Sequence, residues 1–140
     1  MRRVGLTVLE ITVVLAIAGL LATFALPRLA GLRNASAVRS AASEIAAAFT
    51  LARQSAIMGR STVAVVLDTA AGEVTVRSGS RVVSRRQLRA IYSVILSANR
   101  DSAVYDARGM GYGVSNITIR IRRGSFVDTL TMSRLGRLTW

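Results

Sequence analysis

Between Leu6 and Leu26 lie 21 consecutive residues in which the only charge is Glu10. A helix of about 20 apolar residues crosses the hydrocarbon core of a bilayer, so this run is expected to form a single membrane-spanning helix. Hydrophobic residues make up 51% of the 140-residue chain, but they are unevenly spread. After the run they alternate with polar residues, as in a soluble domain. The length leaves room for one modest domain beyond the anchor.

Glu10 is the exception that carries information. A carboxylate inside a membrane segment costs on the order of a few kcal/mol unless it is paired or reaches an interface. One reading is that it snorkels to the headgroups, since it lies within two turns of the helix start. The other is that a partner brings a positive charge to it. A rival for the whole segment is a cleaved signal peptide, with Ala16-Ile17-Ala18 before Gly19 as the processing site. Against that rival stand the acid in mid-run and the unbroken apolar stretch on to Leu26. Pro27 either ends the span or kinks the helix, because it lacks a backbone donor and disfavours helical conformation in the residue before it. Arg2 and Arg3 precede the run and Arg28, Arg33 and Arg39 follow it, so the distribution of basic residues does not set its orientation.

From Arg28 to about Met58 the pattern remains helical. Val38, Ala42, Ile45, Phe49, Ala52 and Ala56 form one narrow apolar stripe at alternating spacings of four and three, and Gly59 is a plausible C-cap. The period then changes to two. Thr62 to Leu67, Val74 to Val76 and Val82-Val83 predict three antiparallel strands joined by turns at Ala70-Ala71-Gly72 and Ser78-Gly79-Ser80. Ile91 to Leu96 and Ala103 to Tyr105 are weaker strand candidates. Ile117, Ile119 and Ile121, then Leu130 and Met132, mark two half-buried strands around a turn at Arg123-Gly124-Ser125. The expected fold class is α+β: a leader at 1–5, an assembly helix at 6–27, its amphipathic continuation at 28–59, and an antiparallel β-rich domain at 60–140.

The chain has no His and no Cys. It therefore lacks the usual general base, thiolate metal ligands and any disulfide framework, and no catalytic residue, metal site or cofactor is predicted. Gly109-Met110-Gly111-Tyr112-Gly113 has no helix after it to present an N-terminus to phosphate, and is expected to be a flexible loop. The acids Asp68, Glu73, Asp101, Asp106 and Asp128 lack the spacing of a calcium site. All 19 basic residues are Arg, and the formal charge is +12. Such a field attracts anionic partners, although an Arg-only, Ala-rich composition also fits a GC-rich genome. Arg120 and Arg122 share a strand face, Arg123 follows, and Arg134 and Arg137 lie in the next segment. Together they are the candidate set for phosphate contacts with DNA, with Tyr112 and Trp140 the near aromatics.

Met1-Arg2-Arg3-Val4-Gly5 followed by Leu6-Thr7-Val8-Leu9-Glu10 resembles the prepilin peptidase signature of the type IV pilin superfamily. The resemblance implies cleavage after Gly5 by prepilin peptidase and methylation of the new amino terminus at Leu6. It also implies an assembly role for Thr7 and Glu10, with Glu10 pairing with a neighbouring subunit's terminal amine, and a helix kink at Pro27. Leu6 departs from the family's usual Phe at the first mature position. The segments Val104-Tyr105-Asp106-Ala107-Arg108-Gly109 and Thr131-Met132-Ser133-Arg134-Leu135-Gly136-Arg137 extend the resemblance to the GspH/FimT group of minor pilins and pseudopilins. That group implies a non-enzymatic, single-pass protein of the bacterial inner membrane with a periplasmic C-terminal domain. Its partners would be other pilin or pseudopilin subunits near the tip of a type II secretion or type IV pilus-like filament. Some members of the group bind DNA through a C-terminal Gly-Arg-x-Arg element, and Gly136-Arg137-Leu138-Thr139 keeps the first Arg but not the second.

Overall fold

Ala and Leu dominate the first 59 residues, and both favour the one extended helix that forms there, α1 (Val8–Gly59). The computed structural model describes residues 7–113, 116–133 and 136–139, without the side chains of residues 25–27. The chain divides into two compact units, Met1–Arg33 and Asn34–Trp140.

In the first unit, the described helical residues bury nothing. The apolar window of α1 is 0% buried, and the helix is long and apolar enough to cross a membrane. Leu9, Leu15, Leu21 and Phe24 all stand exposed. Two hydroxyls of α1 in this run bond back to its own carbonyls: Thr12 Oγ1 donates to that of Leu9 at 2.8 Å and Thr23 Oγ1 to that of Gly19 at 2.8 Å. Such back-bonding hides polar atoms that hydrocarbon would not solvate. Gly5 and Leu6 lie outside the described residues. The kink expected at Pro27 falls on one of the three undescribed side chains.

In the second unit, every residue of the expected stripe, from Val38 to Ala56, is buried, together with Ala41 and Ala48. The alanines at 41, 42, 48, 52 and 56 keep the helix surface low, so backbone and sheet approach closely. Two four-stranded antiparallel sheets complete the core. One contains β1 (Val63–Asp68), β2 (Glu73–Ser78), β3 (Arg81–Gln87) and β5 (Ser102–Tyr105), in the order β3-β2-β1-β5. The other contains β4 (Ile95–Ala98), β6 (Ile117–Arg123), β7 (Phe126–Met132) and β8 (Leu138–Thr139), in the order β4-β6-β7-β8. Their inward residues, among them Val63, Val65, Val76, Ile117, Ile119, Ile121 and Leu130, join the helix stripe in one hydrophobic cluster.

Three local readings need correcting. The stretch read as one weak strand from Ile91 to Leu96 is a short helix, α2 (Leu88–Tyr92), followed by β4. Ser93 closes α2 in the left-handed region with its N–H on the Arg89 carbonyl at 2.9 Å. At the end of α1 the left-handed residue is Arg60, with φ 45°, and not Gly59. Ser61 N–H reaches the Ala56 carbonyl and Arg60 N–H that of Ile57, the paired bonds of a Schellman ending. The glycine-rich segment is ordered in its first half. Asp106 Oδ1 accepts from the N–H groups of Arg108 and Met110, both at 2.9 Å, and Tyr112 N–H bonds back to Val104 of β5 at 2.8 Å.

Candidate assembly helix and basic surface

Thr7 stands at the cap position of α1, and its Oγ1 accepts from the Glu10 N–H at 3.2 Å. Thr-x-x-Glu at a helix start is the pattern of a capping box, so Thr7 sets where the helix begins and therefore where Glu10 projects. Glu10 is exposed. Among the described residues the ion pairs are Arg85 with Glu73 at 3.1 Å and Arg86 with Glu44 at 3.4 Å, and Glu10 is in neither. The negative charge near the helix N-terminus is favoured by the helix dipole, yet it sits among side chains suited to lipid. A carboxylate so placed can meet a cation only from outside the described part of the chain.

The candidate arginines do not form one cluster. Arg120 and Arg122 project side by side from the outward face of β6, where they alternate with the buried Ile119 and Ile121. Arg123 is half-buried and its Nη1 donates to the Tyr92 carbonyl at 2.6 Å, so this guanidinium closes the C-terminal end of α2. Arg134 lies outside the described residues, as does Trp140. Arg137 is exposed in the turn before β8, where its carbonyl accepts from Ser133 N–H at 2.8 Å. Ile117 lies level with Met132 and Leu138. It is five positions from Arg122, about 17 Å along the strand. Arg122 and Arg137 therefore occupy opposite ends of the sheet.

Arg137 has a different neighbour, which the sequence reading missed. It shares an open groove of about 540 Å³ with Arg53 of α1 and with Phe49, Ile57, Tyr105 and Leu138. Two glycines make the groove possible. Gly109 has φ +74°, and a Cβ there would stand 2.7 Å from Ile57 Cδ1; Gly136 also has φ +74°, and a Cβ there would stand 2.7 Å from Tyr105 Cε1. Both positions strain a residue with a Cβ through their positive φ, and at Gly136 the Cβ would also meet the buried ring of Tyr105. Tyr105 lies edge-on to Phe49, with ring centroids 6.4 Å apart at 78°, and its hydroxyl donates to the Gly136 carbonyl at 3.4 Å. Burial pushes the Tyr105 hydroxyl above its ordinary pKa of 10.0, with the Arg53 charge pulling in the opposite direction. The two C-terminal motifs singled out in the sequence are thus one structural feature, packed against the last turns of α1.

A long helix whose second part packs on two small antiparallel sheets is the fold of a minor pilin. Two crystal structures of the type IV minor pilin FimU from Pseudomonas aeruginosa (strain PAO1) are similar to this chain. The form in space group P21 has a TM-score of 0.61 at 19% identity, covering 73% of this chain and 86% of that one. The form in P65 has a TM-score of 0.60 at 15% identity, covering 72% and 90%. The chain belongs to the GspH family, described as type II transport protein GspH, whose sequence model matches residues 41–136, more than half of the chain. No curated protein sequence matches it.

Proposed function

We propose that this protein is a minor pilin or pseudopilin that builds a type II secretion or type IV pilus-like filament and has no catalytic role. Prepilin peptidase removes residues 1–5 after Gly5, and the new amino terminus at Leu6 is methylated. The 6–27 segment holds the subunit in the bacterial inner membrane in a single pass, with the domain at 60–140 in the periplasm. The same segment then packs against other subunits near the filament tip. The observation that carries this reading is an exposed apolar run with one carboxylate, Glu10, at the start of α1, while the core of the following domain uses only the later residues of that helix, from Val38 on. In lipid the carboxylate is neutralised when a neighbouring subunit's terminal ammonium reaches it, which fixes the register of assembly. Glu10→Ala is expected to leave the thermal transition of the β domain unchanged while incorporation into filaments, measured in sheared fractions, falls several-fold. Wild-type incorporation by the variant removes the assembly role.

A second reading is favoured by the excess of arginine over acid, a formal charge of +12. In it the filament subunit also captures DNA through sequence-independent phosphate contacts. The geometry supports two separate loci for it, Arg120 with Arg122 and Arg137 with Arg53. If it holds, replacing Arg120 and Arg122 by Ala lowers DNA affinity uniformly across sequences and reduces the slope of log affinity against log salt by about two. An unchanged slope rejects a DNA role for β6.

A further inference from the structure

One end of the β domain carries exposed apolar side chains set among arginines. The β6–β7 hairpin turns at Gly124, where an added Cβ would stand 3.0 Å from Asn34 Nδ2. Phe126, Val127 and Asp128 share a groove with Ala35, Val38 and Arg39. The bond from Arg123 to the Tyr92 carbonyl brings α2 to this same end. Across the strands Ile95 lies opposite Arg122 and Arg122 opposite Val127. Here Ile91 is 61% exposed, Val127 56%, Ile95 49% and Phe126 38%, and Arg39 and Arg122 are exposed with them. The acid of this strand, Asp128, is half-buried opposite the buried Ile121 and lines the same groove as Arg39. The β2–β3 turn marks the other end of the domain: Ser78 pairs with Val63, four residues after Gly59.

Asn34 is also where the chain enters this unit from the apolar run. Only seven residues of chain lie between it and Leu26, and Arg28 and Arg33 are among them. We propose that this rim rests on anionic phospholipid headgroups of the membrane that holds the 6–27 segment, while the subunit is still unassembled. The proposal depends on the membrane insertion argued above. Arginines contact lipid phosphates through charge-assisted hydrogen bonds. Apolar and aromatic side chains settle at the acyl boundary, and the surface potential of an anionic leaflet acts within a Debye length. The tether supplies a high effective concentration, so a contact too weak to recruit a free domain still forms in the anchored one. A second copy is a poorer occupant, because each chain carries a formal charge of +12 and like charges repel across such a face. Assembly into a filament lifts the rim off the lipid, so the lipid charge tunes how readily the subunit leaves the membrane.

The chain contains no Cys, which allows a single reporter thiol. Ser125→Cys at the rim and Ser80→Cys at the far turn, each carrying an environment-sensitive fluorophore, are placed in full-length protein reconstituted into vesicles. The vesicles contain phosphatidylglycerol or only phosphatidylcholine, with a headgroup-linked quencher. Flotation with the vesicles reports insertion. The proposal predicts that quenching at position 125 exceeds that at position 80 by about twofold or more in phosphatidylglycerol, and that salt or the Arg39→Ala, Arg122→Ala pair removes the excess. Equal quenching at the two positions in floated protein overturns the contact and leaves the anchor reading intact. Failure to float overturns both. A signal that follows protein-to-lipid ratio and ignores lipid charge places another subunit on this face and also overturns the proposal.

Discussion

Tyr105 shows how one side chain ties the C-terminal motifs to the helix. It is buried against Phe49 and donates to the Gly136 carbonyl, and burial raises its pKa above 10.0. The folded chain therefore holds the phenolic proton more tightly than the unfolded chain. The corresponding stability is fully present below pH 10.0 and is lost as the pH climbs through the higher folded value. Tyr105→Phe keeps the ring and removes the titration. At neutral pH it is expected to change stability by no more than about 1.5 kcal/mol, because it deletes one long hydrogen bond. Above pH 10 the variant should lose stability less steeply than the wild type in denaturant titrations. Parallel pH profiles would show that Tyr105 is not the group responsible. At this scale the sequence pointed to Tyr105, Gly109 and Gly136 only as parts of two motifs. Their meeting depends on a 31-residue separation in chain, which no local pattern encodes.

Among the elements, those with a strict period were legible. The 4-3 spacing of Val38, Ala42, Ile45, Phe49, Ala52 and Ala56 describes the buried stripe of α1, and Ile117, Ile119 and Ile121 describe the inward face of β6. Their burial is dictated by geometry of helix and strand alone. The short α2 was not legible, since five residues give no helical period and its closure rests on Ser93 in a left-handed conformation. The end of α1 was half-legible. Gly59 drew attention, yet Arg60 takes the left-handed position, at a cost of about 1 kcal/mol for a residue with a Cβ. Arg60→Gly is therefore expected to stabilise the domain by about 0.5–1 kcal/mol and raise its melting temperature by a few degrees. A lower melting temperature would mean that the Arg60 side chain makes a compensating contact.

In the whole molecule, two units of opposite character share one helix. The 34–140 unit holds the hydrophobic cluster, whereas the described apolar residues of the first unit stand exposed. Composition separates the apolar run from the alternating remainder, with the change at Leu26–Arg28, while the compact units divide at Arg33–Asn34. The basic surface was less plain. Strand parity correctly put Arg120 and Arg122 on one face, but sequence proximity suggested a single patch with Arg137, which the sheet order places at the far end. The groove shared by Arg53 and Arg137 follows from the packing of β8 near α1, a long-range arrangement outside the reach of spacing arguments. The proposed assembly role depends most heavily on a processed amino terminus that opens the helix. Intact-mass and N-terminal peptide spectrometry of the protein from native membranes tests it directly. A mature chain beginning at Leu6, heavier by one methyl group, is the predicted result. A chain beginning at Gly19, or one that retains residues 1–5 in assembled filaments, would contradict it.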